Sequence, residues 1–175
     1  MSNASFPPPP SGQTPFLTVT TTDPDQTAGL AGALGRLLGA GDVVLLDGPV
    51  GAGKSHFARA LIQSRLGALG RHEDVPSPTF TLVQSYDLGT VDLWHADLYR
   101  LGDAHECLEL GLDQAFETAI CLIEWPDRLA EYTPGDALRV NIAHGHEADT
   151  RHLEFFAPSD RWRSILGTLT EGQPT

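Results

Sequence analysis

Two hydrophobic periods take turns along the chain, a two-residue alternation that marks strands and a helical spacing that marks the segments between them. Phe16–Thr20 reads as a strand. Asp23-Pro24-Asp25-Gln26-Thr27 supplies a capping cluster ahead of a helix whose Leu30, Leu34, Leu37 and Leu38 share a face, and Gly39–Gly41 ends it. Asp42–Asp47 is apolar inside and fits a buried strand, whereas His56–Ile62 returns to helical spacing. The prolines of Val75–Phe80 forbid helix and hold an extended connector. Thr81–Tyr86 and Val91–Asp97 flank the turn-prone Asp87-Leu88-Gly89-Thr90 and predict an antiparallel hairpin.

Short helices are predicted near Ala104–Leu110 and Asp113–Thr118. Ala119–Glu124 is apolar up to its last residue, the pattern of a strand buried on both faces that delivers one carboxylate to the edge of a sheet. Ala137–Ala143 and Arg151–Phe156 predict a second hairpin around Gly145, and a last helix runs from Asp160 to about Leu169. Strands and helices therefore alternate. The expected fold is a single α/β domain over 16–175, a sandwich whose mixed sheet is parallel in the middle and antiparallel at the hairpins. Residues 1–15, with Pro7–Pro10 and no apolar period, are expected to be a disordered tail.

Gly48-Pro49-Val50-Gly51-Ala52-Gly53-Lys54-Ser55 changes the picture from fold to chemistry. It is a complete G-x-x-x-x-G-K-[ST] phosphate-binding loop, placed between the predicted strand and helix as its mechanics require. Its glycines let backbone N–H groups turn inward, and the following helix adds its positive end. Lys54 is placed to reach the β- and γ-phosphates and Ser55 to ligate Mg²⁺. The chain is thus expected to be a P-loop NTPase. Such a site needs a further carboxylate near the metal and a group that aligns the attacking water. Asp97 and Glu124 each end a strand-like run and are the candidates; a helix cap or a pair with Arg100 competes for Asp97, and a turn cap for Glu124. Ser77 and Thr79 are further candidates as hydroxyls that sense a γ-phosphate and its metal.

Charge and cysteine content narrow the class. A formal charge of −12 without a cluster of Lys and Arg argues against direct, tight binding of nucleic acid. Cys107 and Cys121 are expected to be reduced packing residues, and His144, His146 and His152 to decorate a solvated hairpin rather than hold a metal. Neither a secretion signal nor a membrane span is indicated, so a cytoplasmic protein is expected.

Taken together, the phosphate loop, Ser77-Pro78-Thr79-Phe80-Thr81-Leu82-Val83, His95-Ala96-Asp97-Leu98-Tyr99-Arg100-Leu101 and Ile123-Glu124-Trp125-Pro126 resemble, in order and spacing, the TsaE family of bacterial ATPases of tRNA threonylcarbamoyladenosine biosynthesis. The resemblance runs from about Thr14 to Phe156. It implies that Val50, Gly51, Ala52, Gly53, Lys54 and Ser55 hold the phosphates of ATP, that Ser55 and Glu124 ligate Mg²⁺, that Asp97 serves hydrolysis, and that the stretch around Pro24 lies near the adenine. It implies partners, TsaB and TsaD, with tRNA reached indirectly through the complex, and an ATPase that sustains threonylcarbamoyl transfer to the adenosine 3′ of the anticodon. The chain departs from the usual family loop at Pro49, where an acidic residue is common, at Ser55 for threonine, and at His56 for a second hydroxyl residue. From other classes, a small-molecule kinase would need an Arg-bearing lid that the sequence does not display, and a GTPase would need an N-K-x-D signature that it lacks. A nucleotide-gated adaptor without useful hydrolysis also fits the loop.

Overall fold

Parallel pairing in the middle of the sheet and antiparallel pairing at its margins organise the molecule. The computed structural model describes residues 12–172; the expected tail at 1–15 therefore falls largely, from 1 to 11, outside the described residues. The elements are β1 Leu17–Thr21, α1 Pro24–Gly35, β2 Val43–Asp47, α2 Lys54–Ala68, β3 Val83–Asp87, β4 Asp92–Asp97, α3 Glu106–Glu109, α4 Leu112–Thr118, β5 Ile120–Glu124, a 3-10 segment Pro126–Tyr132, β6 Leu138–His144, β7 Arg151–Phe156 and α5 Asp160–Glu171. One seven-stranded sheet has the order β1-β7-β6-β2-β5-β4-β3. β2 pairs parallel with β5 and β6, and β4 with β5. The margins, β1–β7–β6 and β4–β3, are antiparallel.

Local chemistry accounts for the central elements. Asp23 caps α1 by accepting from Gln26 N at 2.8 Å, and Pro24 occupies the first turn, where a missing N–H costs nothing. Successive residues of β2 face opposite sides of the sheet. Val44 and Leu46 join Leu30, Leu34, Phe57, Leu61 and Trp162 under the helices of one face, while Val43 and Leu45 join Leu98, Leu112 and Leu129 on the other. β5 divides its residues the same way, so both strands are covered on both sides. Each large side chain fully buried there contributes roughly 1.5–3 kcal/mol. α2 adds a polar tie to α1: Arg65 Nη1 donates to Gly35 O and Leu38 O at 2.9 and 2.7 Å, satisfying carbonyls at the end of that helix.

One strand boundary needs correction, and two helical segments go beyond what the sequence pattern predicts. β3 starts at Val83 rather than Thr81, because Leu82 adopts φ 67° and its N–H donates to Pro78 O at 2.7 Å, which closes a turn where a strand was expected. α2 continues to Ala68, with Leu66 extending its buried face. The 3-10 segment after β5 was not foreseen; short 3-10 turns bury too few residues to show a period, and Ala130 at φ 47° breaks this one in two.

Candidate functional site

The phosphate loop leaves β2 at Asp47 and enters α2 through Gly53, which has φ 107° and caps the helix without a side chain. Gly48 has φ 150°, and a Cβ there would lie 2.3 Å from Ile142 O, so the loop passes hard against β6 at a place where a side chain has no room. Side chains from the sheet pin both ends of the loop. Asp47 Oδ1 accepts from Gly48 N at 2.9 Å while its Oδ2 accepts from Arg139 Nη1 at 2.8 Å. Arg151 Nε, at the start of β7, donates to Ala52 O at 2.8 Å. The Ala52 side chain is buried, which leaves its backbone for the loop, whereas Val50 stands out 75% exposed at the tip.

Lys54 is buried in the first turn of α2, where its ammonium donates to Gly48 O and Pro49 O at 2.6 and 3.0 Å and lies 4.0 Å from the Trp125 ring centroid. Burial pulls its pKa below the ordinary lysine value of 10.5, and the negative charges of Glu124, Asp47 and Asp97 oppose the shift. Trp125 holds its ring there from a left-handed backbone conformation, φ 57° and ψ 56°, that a bulky residue seldom adopts. Its ring also meets that of Tyr99, with centroids 4.9 Å apart.

The two carboxylates end neighbouring parallel strands and face each other in register, Asp97 of β4 opposite Glu124 of β5. Glu124 is buried. Its Oε1 accepts from Ser55 Oγ at 2.8 Å and its Oε2 is 2.7 Å from His95 Nε2. A turn cap is therefore not its role. Asp97 Oδ1 accepts from Tyr99 N at 3.1 Å, and Oδ2 from Thr79 Oγ1 at 3.4 Å. Thr79 in turn meets Ser77 Oγ at 3.0 Å, so the connector brings the Thr79 hydroxyl to Asp97 and the Ser77 hydroxyl to Thr79. Arg100 goes elsewhere, its guanidinium 5.1 Å from the Phe80 ring centroid.

Val50, Gly51, Gly53, Lys54, Ser55, Asp97 and Glu124 line one open cavity of about 390 Å³. Pro24 does not reach it. Pro24 lines a smaller cavity of about 140 Å³ with Gly53, His56 and Arg151, and its carbonyl lies 3.0 Å from His56 Nε2. Gly53 and His56 border both cavities, which are therefore neighbours. A loop that runs into a helix N-terminus and carries a lysine suits a phosphate chain. The donors around Ser55 are hard oxygens, which suit Mg²⁺. Among the described residues no group of three or more His, Cys, Asp and Glu side chains is placed to hold a metal, so a cation beside Ser55 and Glu124 would take further oxygens from phosphate and water, as Mg²⁺ habitually does. His152, from the histidine-bearing hairpin, instead has Nδ1 2.9 Å from Thr20 Oγ1.

Sequence reasoning gave no role to His95, Trp125 or Arg151. His95 was traceable, since it precedes Asp97 by two on a strand and must share its face. For Trp125 and Arg151 no local pattern announces the contact.

Comparison with known proteins agrees with this arrangement. The family model of "Threonylcarbamoyl adenosine biosynthesis protein TsaE" matches residues 21–153, which span the loop, both carboxylates and the connector. The chain belongs to the TsaE family. It is 33% identical over 151 residues to the tRNA threonylcarbamoyladenosine biosynthesis protein TsaE of Bacillus subtilis, covering 86% of this chain and 91% of that protein. To the protein of the same name from Treponema pallidum it is 40% identical over 129 residues, with 71% and 91% covered. The crystal structure of Bacillus subtilis YdiB superposes with a TM-score of 0.73 at 29% identity, covering 89% of this chain and 94% of that one. The fold is thus shared with that structure, and no helix among the described residues is long and apolar enough to cross a membrane.

Proposed function

We propose that this chain is a Mg²⁺-dependent ATPase that works in the tRNA threonylcarbamoyladenosine pathway with TsaB and TsaD, sustaining threonylcarbamoyl transfer to the adenosine 3′ of the anticodon while the partners carry out the transfer. The observation that carries the reading is the convergence of Lys54, Ser55, Glu124 and Asp97 on one cavity at the parallel end of the sheet. In this reading the loop amides and Lys54 hold the β- and γ-phosphates, Ser55 and Glu124 hold Mg²⁺, and Asp97 orients the attacking water. Bound Mg²⁺ would neutralise charge that develops on the phosphate oxygens. The smaller cavity beside Pro24 and His56 suits the base end of the nucleotide.

Partner dependence has support of its own. The side chains that line the loop cavity include two carboxylates and a single lysine, Arg139 and Arg151 are tied to Asp47 and to the Ala52 carbonyl, and Arg100 lies over Phe80. A cation supplied in trans can accelerate phosphoryl transfer roughly 10³- to 10⁵-fold. Val50, Phe80 and Tyr99 expose apolar surface around the connector and the cavity mouth, where a docking protein would cover them. The net charge of −12 makes the chain a poor platform for tRNA, so tRNA is reached through the complex.

The test is ATP turnover by the purified chain, alone and with TsaB and TsaD, together with co-elution in ATP and in ADP. Slow turnover that rises with the partners, and co-elution that depends on the nucleotide, is the expected result. Fast hydrolysis indifferent to the partners, with no nucleotide-dependent co-elution, would return a small-molecule kinase to first place.

A further inference from the structure

His95 is buried in β4, and the cation-binding reading above gives it no task. Only 1% of its surface is exposed, and its Nδ1 has no hydrogen-bond partner, an arrangement that costs stability for a ring that fills core space alone. A leucine would fill such a position without the penalty. What the ring gains is a single contact, Nε2 to Glu124 Oε2 at 2.7 Å, within the range of a charge-assisted bond. A carboxylate can only accept, so Nε2 carries the proton.

The contact sits in a chain of three. Ser55 Oγ donates to Oε1 of the same carboxylate at 2.8 Å, which leaves the two oxygens with different duties: one is tied back into the sheet and one looks into the cavity beside the Ser55 hydroxyl. Glutamate reaches the site through three rotatable bonds, and β5 fixes only its Cα. Leu93, His95 and Asp97 lie on the same side of β4, with Ile120, Leu122 and Glu124 on the same side of β5, so α2 packs over both rows. His95 is therefore the side chain that can fix the carboxylate plane from behind.

We propose that His95 is a positioning residue for the divalent cation: by holding Glu124 Oε2 it aims Oε1 at the Ser55 hydroxyl, and its loss weakens cation retention without weakening the cradle for the phosphates. The inference rests on the assignment of Ser55 and Glu124 as the cation's protein ligands. Groups that hold metal ligands in place are typically worth 10- to 100-fold in metal affinity.

Two polar variants separate this role from simple packing. Glutamine can place its amide nitrogen about where His95 Nε2 lies, whereas the amide of asparagine stops near the position of Nδ1, short of Glu124. ATP binding is titrated by calorimetry in EDTA and at a series of Mg²⁺ concentrations, and Mn²⁺ affinity of the ATP-bound protein is read by electron paramagnetic resonance. His95→Asn should lower apparent Mg²⁺ and Mn²⁺ affinity about 10- to 100-fold while ATP affinity in EDTA changes less than about threefold, and His95→Gln should recover most of the loss. Equal cation affinity in His95→Asn and wild type would overturn the proposal, as would equal losses with and without Mg²⁺ or a His95→Gln no better than His95→Asn. A wild-type protein that binds no ATP in either condition would refute the nucleotide reading itself, which is a different outcome from ATP binding whose cation dependence ignores His95.

Discussion

Lys54 and Trp125 form a pair in which the buried ammonium lies 4.0 Å from the centre of the indole ring while donating to two loop carbonyls. The aromatic face and the carbonyls keep a charge that burial disfavours. The two carbonyl contacts hold the loop's own backbone around that ammonium.

Lys54 is also the chain's single lysine, so labelling lysine with carbon-13 at Cε gives one side-chain signal. In the free protein its titration midpoint should fall below 10.5, because burial outweighs the nearby carboxylates. Added ATP should move the midpoint upward, since phosphate oxygens favour the charged form. Lys54→Ala should lose about 1.5–3 kcal/mol of binding, roughly ten- to hundred-fold in affinity. Unchanged affinity in a calorimetric titration of the folded variant would move the nucleotide elsewhere.

Glu124 and Asp97 should fail differently. Glu124→Ala removes the acceptor of both Ser55 and His95 and should abolish most of the Mg²⁺ dependence of ATP binding. Asp97→Asn keeps a group of the same size and should bind ATP nearly as well while hydrolysing it at least about 100-fold more slowly, in line with the loss of the group that orients the attacking water. Wild-type turnover by Asp97→Asn would remove Asp97 from the chemistry.

Gly48→Ala tests the close pass of the loop against β6. The added methyl would meet Ile142 O at 2.3 Å and force a non-glycine residue to φ 150°. A cost of about 1–3 kcal/mol follows from the backbone alone, equivalent to several degrees in the melting temperature of a chain this size. A variant that melts within a degree of wild type would show that β2 and β6 separate more easily than their pairing suggests.

Cys121 offers an alkaline signature. Burial pushes its thiol up to about 12 from an ordinary 9.0, so the folded protein keeps the proton where the unfolded chain loses it. Its contribution to stability is therefore whole below pH 9 and declines by about 1.4 kcal/mol per pH unit from there toward pH 12. Cys121→Ala should be less stable near neutrality and should lose stability less steeply with pH, measured by urea unfolding between pH 8 and 11. Equal slopes would assign the alkaline decline to other groups.

Much of this site can be read from the chain. Asp42–Ser55 announces strand, loop and helix in one stretch, and the apolar run ending in Glu124 announces a strand that carries its acid to the sheet edge. Asp87–Thr90 marks the β3–β4 hairpin, and both cysteines are buried as their surroundings suggest. The rest depends on partners distant in sequence. Nothing local in Leu138–His144 says that it lies parallel to β2, and that placement is what brings Ile142 against Gly48 and Arg139 to Asp47. Pro24 and Asp97 line different cavities that share Gly53 and His56 as walls, a separation that no local pattern in the sequence announces.

The register of β4 against β5 reaches beyond architecture. Side chains alternate sides along a strand, so a slip of one residue would turn Asp97 and His95 together toward the opposite layer of helices and bring Ala96 to Glu124. β3 lines none of the loop cavity, but its five paired residues, Val83 to Asp87, lock β4 from its outer margin. The alignment of Asp97 with Glu124 is thus held by strand pairing on both margins of β4, and an edge strand remote from the cavity shares in keeping the two acids together.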